Sequence, residues 1–325
     1  MTVSHYLKIA IATAVMAAGT GSAQAQAWPA KPIKLIVGSV PGGGQDLFAR
    51  VVGGIVQKAL GQQIVVENRG GADGTLAVDQ LVKSAPDGYT FVMTSNGATQ
   101  FAPALYPNLT YDPGRDLAGV SMIFRAFFAL SAGPKTEIKT IQEFVAAVKR
   151  EPGKFAYASS GKGSPHFFAM EMFKDRAGLD ITEVSYRSTA PAAIDVAAGA
   201  VPFGMLDVAT VRPHLQSGKI RLLAITAKER SPYLPDVPTI RETVVPGFET
   251  EAWNAIMAPA GTPRDVLDRM SKEIAIALRS EEVAKRMAEV GFTPYITTPD
   301  ETMAVIREGL KIYPAMIRKM GITGN

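Results

Sequence analysis

The chain has 325 residues, 47% of them hydrophobic and 20% charged, with a formal net charge of +4 and no cysteine. The missing cysteines exclude disulfides, thiolate metal sites, a cysteine nucleophile and a lipid-modified cysteine. The small positive excess over so long a chain is not a nucleic-acid footprint, though it favours anionic small molecules slightly.

The first predicted element is a leader. Lys8 supplies a positive start, residues 9–18 form a short apolar stretch, and Ala23-Gln24-Ala25 has the small-x-small pattern of a cleavage site. This predicts a signal peptide over residues 1–25, cut after Ala25. No later stretch approaches the roughly 18 apolar residues that a membrane helix needs. Beyond the leader, enough chain remains for two domains. It contains two histidines, His166 and His214, so neither a histidine-rich metal site nor any cofactor is expected.

Apolar, strand-like runs at 33–37, 64–67, 90–94, 155–158, 183–186, 203–206 and 222–226 alternate with longer amphipathic runs. Asp46 opens a stripe of Leu47, Val51 and Ile55 that Gly61 closes. Thr140 and Glu143 have capping-box spacing. Ser164-Pro165 and Thr262-Pro263 both read as an N-cap followed by proline at the first helical position. Continuous apolar strands alternating with helices predict an α/β fold of mostly parallel sheets flanked by helices.

One unit runs from about residue 28 to the mid-120s and a second to about 226. A proline-rich stretch, "ERSPYLPDVPTIRETVVPGFE", leads to helices expected over 263–279, 281–290 and 301–320. Having no strands of their own, these helices are placed back on the first unit. The expected domains are therefore 26–125 plus 227–325, and 126–226. The chain crosses twice between them, with a cleft between the two.

Two turns draw attention. In "IVGSVPGGGQDLFARVV", residues 36–52, an apolar strand ends in three glycines before a helix. Ligands of open α/β sheets sit at strand carboxyl ends, and glycines with a helix N-terminus behind them make an anion seat. The spacing is neither the dinucleotide fingerprint nor a phosphate-binding loop with G-K-[ST]. The alternative is a plain tight turn closed by Asp46 as N-cap. "YASSGKGSPHFFAMEMF" repeats the logic in the second unit, from Ser159-Ser160-Gly161-Lys162-Gly163 to Ser164-Pro165. Two such turns across a cleft could hold a carboxylate with uncharged donors, which need no buried counter-charge.

Seven stretches carry a wider resemblance: "WPAKPIKLIVGSVPGGGQDLFAR", "VVENRGGADGTLA", "APDGYTFVM", "YASSGKGSPHF", "SYRSTAPAAIDVAAGAVPFGMLD", "SGKIRLLAITAKERSPYLPDVPT" and "PGFETEAWNAIMAPAGTP". In this order, over nearly the whole chain past the leader, they resemble the Bug/TctC extracytoplasmic solute receptors. The resemblance implies a two-domain periplasmic-binding-protein (Venus flytrap) fold with the ligand cleft between the domains. It also implies a small carboxylate ligand, aliphatic or aromatic, and delivery to a tripartite tricarboxylate-type membrane transporter. Neither nucleic acid nor an oligomeric partner is expected, and a monomer is the default.

Carried over by position, the first-domain site is Pro41, Gly43, Gly44, Gln45 and Asp46, with Ser95, Asn96 and Thr99. The second domain adds Ser159, Gly161, Gly163, Ser164 and His166, then Tyr186, Ala190, Pro191 and Asp207. The chain departs from the family pattern at Gln45, where threonine is common, at Ser188-Thr189 in "YRSTAPA", and in "SNGATQF".

Several of these residues have a second reading. Asp46 and Asp207 are each either a ligand contact or a helix cap, and His166 is either a contact or an exposed helix residue. Arg125 and Arg187 attract an anion or are simply solvated. Phe48 and Phe101 either lie beside an aromatic ligand or are helix core residues, and the methionines 170, 172 and 205 read as core. The alternatives to a receptor are a secreted hydrolase with Ser159, Ser160 or Ser164 as nucleophile and His166 as base, and a ligand sensor without a transport role. Against the hydrolase, there is no G-x-S-x-G elbow, and Ser164 and His166 are too close in sequence to face each other on one helix. The chain is therefore expected not to be an enzyme.

Overall fold

The computed structural model describes residues 28–42, 44–162, 164–319 and 321–322. The leader, Gly43 and Gly163 lie outside the described residues.

Strand β1 (Ile33–Val37) is almost wholly buried, as a parallel strand covered on both faces must be. It lies between β2 (Ile64–Asn68) and β3 (Thr90–Ser95), parallel to both. Helix α1 (Gly44–Leu60) connects β1 to β2, and α2 (Thr75–Val82) leads to β3. After β3 the chain winds into a π-turn over Gly97–Phe101 and the short α3 (Ala102–Leu105).

Strand β4 (Leu117–Ala132) is the long element of the fold. Beyond it come α4 (Ile141–Arg150), β5 (Ala156–Ser159), α5 (Pro165–Ala177), β6 (Thr182–Ser185), α6 (Thr189–Ala198), β7 (Phe203–Asp207), α7 (Val208–Gln216), β8 (Arg221–Ile225) and α8 (Ile240–Thr243). Strand β5 runs parallel to β6 and β7. The chain ends with β9 (Glu251–Pro259), α9 (Arg264–Leu278), α10 (Glu281–Glu289), β10 (Phe292–Pro294) and α11 (Pro299–Lys319).

The result is two lobes built on one sheet path, β2-β1-β3-β9-β4-β7-β5-β6, with β8 and β10 also on β4. Each lobe holds three parallel strands. Antiparallel pairing appears where β4 and β9 join them. Strand β4 belongs to both lobes: up to Phe127 it pairs with β9, and from Phe128 with β7. The expected unit boundary at 125/126 thus falls inside a strand.

Each lobe has its own core. Ile33, Leu35, Phe48, Phe91, Phe124 and Ile256 pack with Met270 and Ile274 of α9 in the first. Phe128, Phe144, Tyr157, Phe173 and Phe203 pack in the second. Burying one such side chain stabilises the fold by about 1.5–3 kcal/mol. Met170, Met172 and Met205 are core residues of the second lobe, and Phe48 of the first. Phe101 packs between the lobes, its ring 4.6 Å from that of Phe168 on α5.

Most helix starts match the sequence. Thr140 and Glu143 form the capping box, and Ser164 accepts from the Phe167 amide with Pro165 behind it. Thr262 does not: its hydroxyl donates to the Pro259 carbonyl at 2.8 Å, and α9 starts one residue later than read, with Pro263 at the cap. The C-terminal region is also not strandless, since β9 and β10 lie within it.

Candidate functional site

The loops and helix starts at the carboxyl ends of the parallel strands carry the expected residues, one set, or wall, on each lobe. On the first lobe, Pro41 is exposed in the turn after β1, and Gly44 opens α1 against the ring of Phe292. Asp46 is buried in the first turn of α1. Its carboxylate accepts from the Gly42 amide (3.0 Å), Arg50 Nε (3.0 Å) and Asn68 Nδ2 (2.9 Å). Burial pushes this carboxyl up, but the hydrogen bonds and the Arg50 charge outweigh it and hold it below the ordinary value. Asp46 therefore ties the turn after β1 to β2 and to its own helix.

Gln45 Nε2 donates to Asn254 Oδ1 of β9 at 2.6 Å. Asn96 Nδ2 donates to the Glu251 carbonyl of the same strand at 3.0 Å, while its Oδ1 is buried without a partner. Ser95 is half-buried, and its carbonyl accepts from the hydroxyl of the buried Thr99 at 2.9 Å. Gln45, Ser95 and Asn96 are thus brought together beside β9, the strand joining the first-lobe sheet to β4.

On the second lobe, Ser159 is fully buried. Its hydroxyl donates to Glu183 at 2.6 Å and accepts from the Gly161 amide at 3.0 Å. Burial pushes the Glu183 carboxyl up against the pull of Ser159 and Lys162. Gly161 has φ +97, and a side chain there would meet Ser185 and the Tyr186 carbonyl. This turn tolerates only glycine without strain. Ser164 caps α5.

His166 is not an exposed helix residue; it is 9% exposed. Long side chains at a helix start lean back over the preceding turn, and His166 does so. Its Nδ1 is 2.7 Å from Ser160 Oγ, its Nε2 is 2.9 Å from Asp207 Oδ1, and Phe128 packs against the ring at 4.5 Å. Asp207 Oδ2 accepts from Thr189 at 2.9 Å, and Thr189 meets Thr210 at 3.0 Å. Although Asp207 sits at the cap position of α7, its side chain makes no cap bond. Burial pushes its carboxyl up, but the His166 ring and the Thr189 hydroxyl hold it below the ordinary value.

The remaining expected residues spread along this wall. Tyr186 donates to Asp195 at 2.6 Å; burial and that carboxylate push its phenol up to about 12. Ala190 and Pro191 are exposed in the first turn of α6, where Ser188 makes no side-chain cap bond. Arg125 leans toward Glu251 at 3.9 Å and over the Tyr295 ring, and Arg187 is exposed. Sequence reasoning paired Ser160 with His166 only as one of three candidate nucleophiles, and missed that Asp207 and Thr189 complete the chain. The backward lean of a helix-start histidine was the available signal for Ser160. Thr189 had none, because it opens a helix and its partner ends a strand 18 residues on.

Two αβ lobes joined by a shared strand, with neutral donors gathered at strand ends on both, define a two-domain solute-binding receptor. Residues 48–322 match the tripartite tricarboxylate transporter family receptor, and the chain belongs to that family. Protein BugT of Bordetella pertussis is 36% identical over 314 residues, covering 96% of this chain and 95% of that protein. Among solved structures, Rpa4515 of R. palustris with adipate is similar at TM-score 0.83 and 30% identity, covering 92% of this chain and 100% of that one. MatC from Rhodopseudomonas palustris with bound malate is similar at TM-score 0.77 and 29% identity, covering 89% and 100%. Among the described residues, no helix is long and apolar enough to cross a membrane.

Proposed function

We propose that the chain is a periplasmic receptor that captures a small carboxylate between its lobes and delivers it to a membrane transporter of the tripartite tricarboxylate type. The observation that carries this reading is the pair of walls at the strand carboxyl ends. Gln45, Ser95 and Asn96 gather on one; Ser160, Ser188 and Thr189 gather on the other, with no cysteine thiolate or histidine cluster to suggest a metal. The adipate and malate named for two relatives support the ligand class. The leader carries the chain across the inner membrane and is removed, leaving a soluble monomer.

The domains are residues 26–125 with 227–325, and 126–226, hinged in β4 and in the segment from β8 to β9. Capture works by closure: an open cleft admits the anion, donors of both walls engage it, and exclusion of water strengthens each contact. The turns after β1 and β5 offer main-chain amides other than those of Gly42 and Gly161, which are already bonded to Asp46 and Ser159, and Gln45 with Ser188-Thr189 sets which carboxylate is preferred.

Thermal unfolding of the purified protein against a panel of small aliphatic and aromatic carboxylates tests the reading. A ligand bound only by the native state adds RT ln(1 + [L]/Kd), about 2.7 kcal/mol at a hundredfold excess over Kd. A saturable rise for one chemical class is the expected outcome, and no rise for any carboxylate in ligand-free protein sinks the reading.

A hydrolase has one observation in its favour, the chain Ser160–His166–Asp207. Its ring nitrogens are reversed from the serine-protease order, in which the acid holds Nδ1 and the serine faces Nε2. The Gly161 amide beside Ser160 donates to Ser159 and is not free for an oxyanion. Ester turnover lost on Ser160→Ala would reinstate it.

A further inference from the structure

We infer that Ser160 is a ligand-contacting donor aimed by the Asp207–His166 pair, so that the receptor takes up a proton together with the carboxylate it captures. This rests on the receptor reading and deepens it, naming a contact residue beyond those expected and the protonation state in which the site binds.

Asp207 is the fixed end of the chain. Its Oδ2 accepts from Thr189, and its Oδ1 lies 2.9 Å from His166 Nε2. An ionised carboxylate has no hydrogen to give, so Nε2 carries one. Nδ1, 2.7 Å from Ser160 Oγ, then has two states. In the neutral ring it is a lone pair and takes the serine hydrogen. The serine oxygen then offers only lone pairs outward, and these repel an anion. In the imidazolium, Nδ1 donates to Ser160 Oγ and the hydroxyl hydrogen is released to point at an anion. Ser160 is half-buried in the loop between β5 and α5, at the carboxyl end of β5, where ligands of open α/β sheets sit. A carboxylate accepting from Ser160 therefore favours the imidazolium through both donor direction and charge. Imidazole is the side chain that changes charge in the physiological range.

The surrounding charges leave this exchange to His166. From β7, Asp207 touches the ring; from β4, the neutral Phe128 ring packs on it at 4.5 Å. Arg125, further along β4, is drawn toward Glu251 of β9. On α5 itself, Glu171 and Lys174 pair at 2.7 Å. Lys162 in the preceding turn acts on Glu183, and Arg187 ahead of α6 is exposed.

If binding takes up a proton, affinity is higher at low pH and falls as pH rises. Titration calorimetry of the purified protein with the carboxylate panel, from about pH 5.5 to about pH 8.5 in buffers of different ionisation enthalpy, reads this directly. For wild type, affinity should rise on acidification by up to about tenfold per pH unit, with up to about one proton taken up. Ser160→Ala should weaken binding and abolish the uptake, and His166→Asn should bind with an affinity independent of pH. If the buried His166 variant fails to fold, Ser160→Ala, which removes one half-buried oxygen, decides the matter. Equal affinity across the range with no proton exchanged overturns this inference and leaves the receptor reading standing. No binding of any panel member at any pH overturns both.

Discussion

At the scale of single residues, Asp46 shows how one side chain can determine a turn. It collects the Gly42 amide, Arg50 and Asn68 on two oxygens, so the loop after β1 cannot move without breaking charge-assisted bonds. Replacing it removes the charge and one acceptor oxygen from three part-buried hydrogen bonds, and Asp46→Asn is expected to cost about 1.5–3 kcal/mol in chemical denaturation. The pH dependence follows from the lowered folded-state pKa. The contribution is fully present above the unfolded carboxylate value and disappears as pH falls through the folded one. The gap between wild type and variant should therefore close in acid; a gap that persists there would mean the Asp46 charge is not what matters.

At the scale of elements, helix α11 depends on a close approach. A methyl group at Gly309 would overlap the side-chain amide of Gln100, which is buried in the π-turn and donates to the Val305 carbonyl at 2.8 Å. Alanine raises helix propensity by about 1 kcal/mol, but overpacking costs about 1–3 kcal/mol. The amide cannot swing away without losing its bond. Gly309→Ala should therefore lower the melting temperature, and adding Gln100→Ala should recover part of it; no recovery would mean that the strain lies elsewhere. The same helix bridges the lobes. Its first half packs Met303 and Ile306 on the first lobe, while Met316 joins the second-lobe core and Lys319 reaches Asp175 at 3.5 Å. Pro314 lies between the two halves and removes one helical hydrogen bond at the junction.

At the scale of the whole molecule, two segments connect the lobes, β4 and the stretch from β8 to β9, and α11 packs across both. Few connections and separate cores favour rigid rotation of one lobe against the other. Small-angle scattering should show a smaller radius of gyration with a saturating carboxylate than without. An unchanged radius, with binding demonstrated in parallel, would mean the ligand is held without closure.

What the sequence determined by itself was local or periodic. Gly61, the Thr140–Glu143 pair and Ser164-Pro165 mark helix ends because each acts on backbone groups a few residues away. The apolar runs of β1, β3 and β7 announce parallel strands because burial on both faces leaves no other composition. Strand β4 escaped notice for the same reason: its sixteen residues are buried on both faces nearly throughout, so it shows no alternation, and it is long enough to resemble a buried helix. Tertiary structure alone decided the pairings at the walls. Gln45 meets Asn254 across 209 residues, and His166 meets Asp207 across 41. A hydrogen bond from the first turn of a helix to a side chain on a distant strand leaves no mark on the spacing of either, because sheet order, not sequence, sets which strand lies beside which helix start.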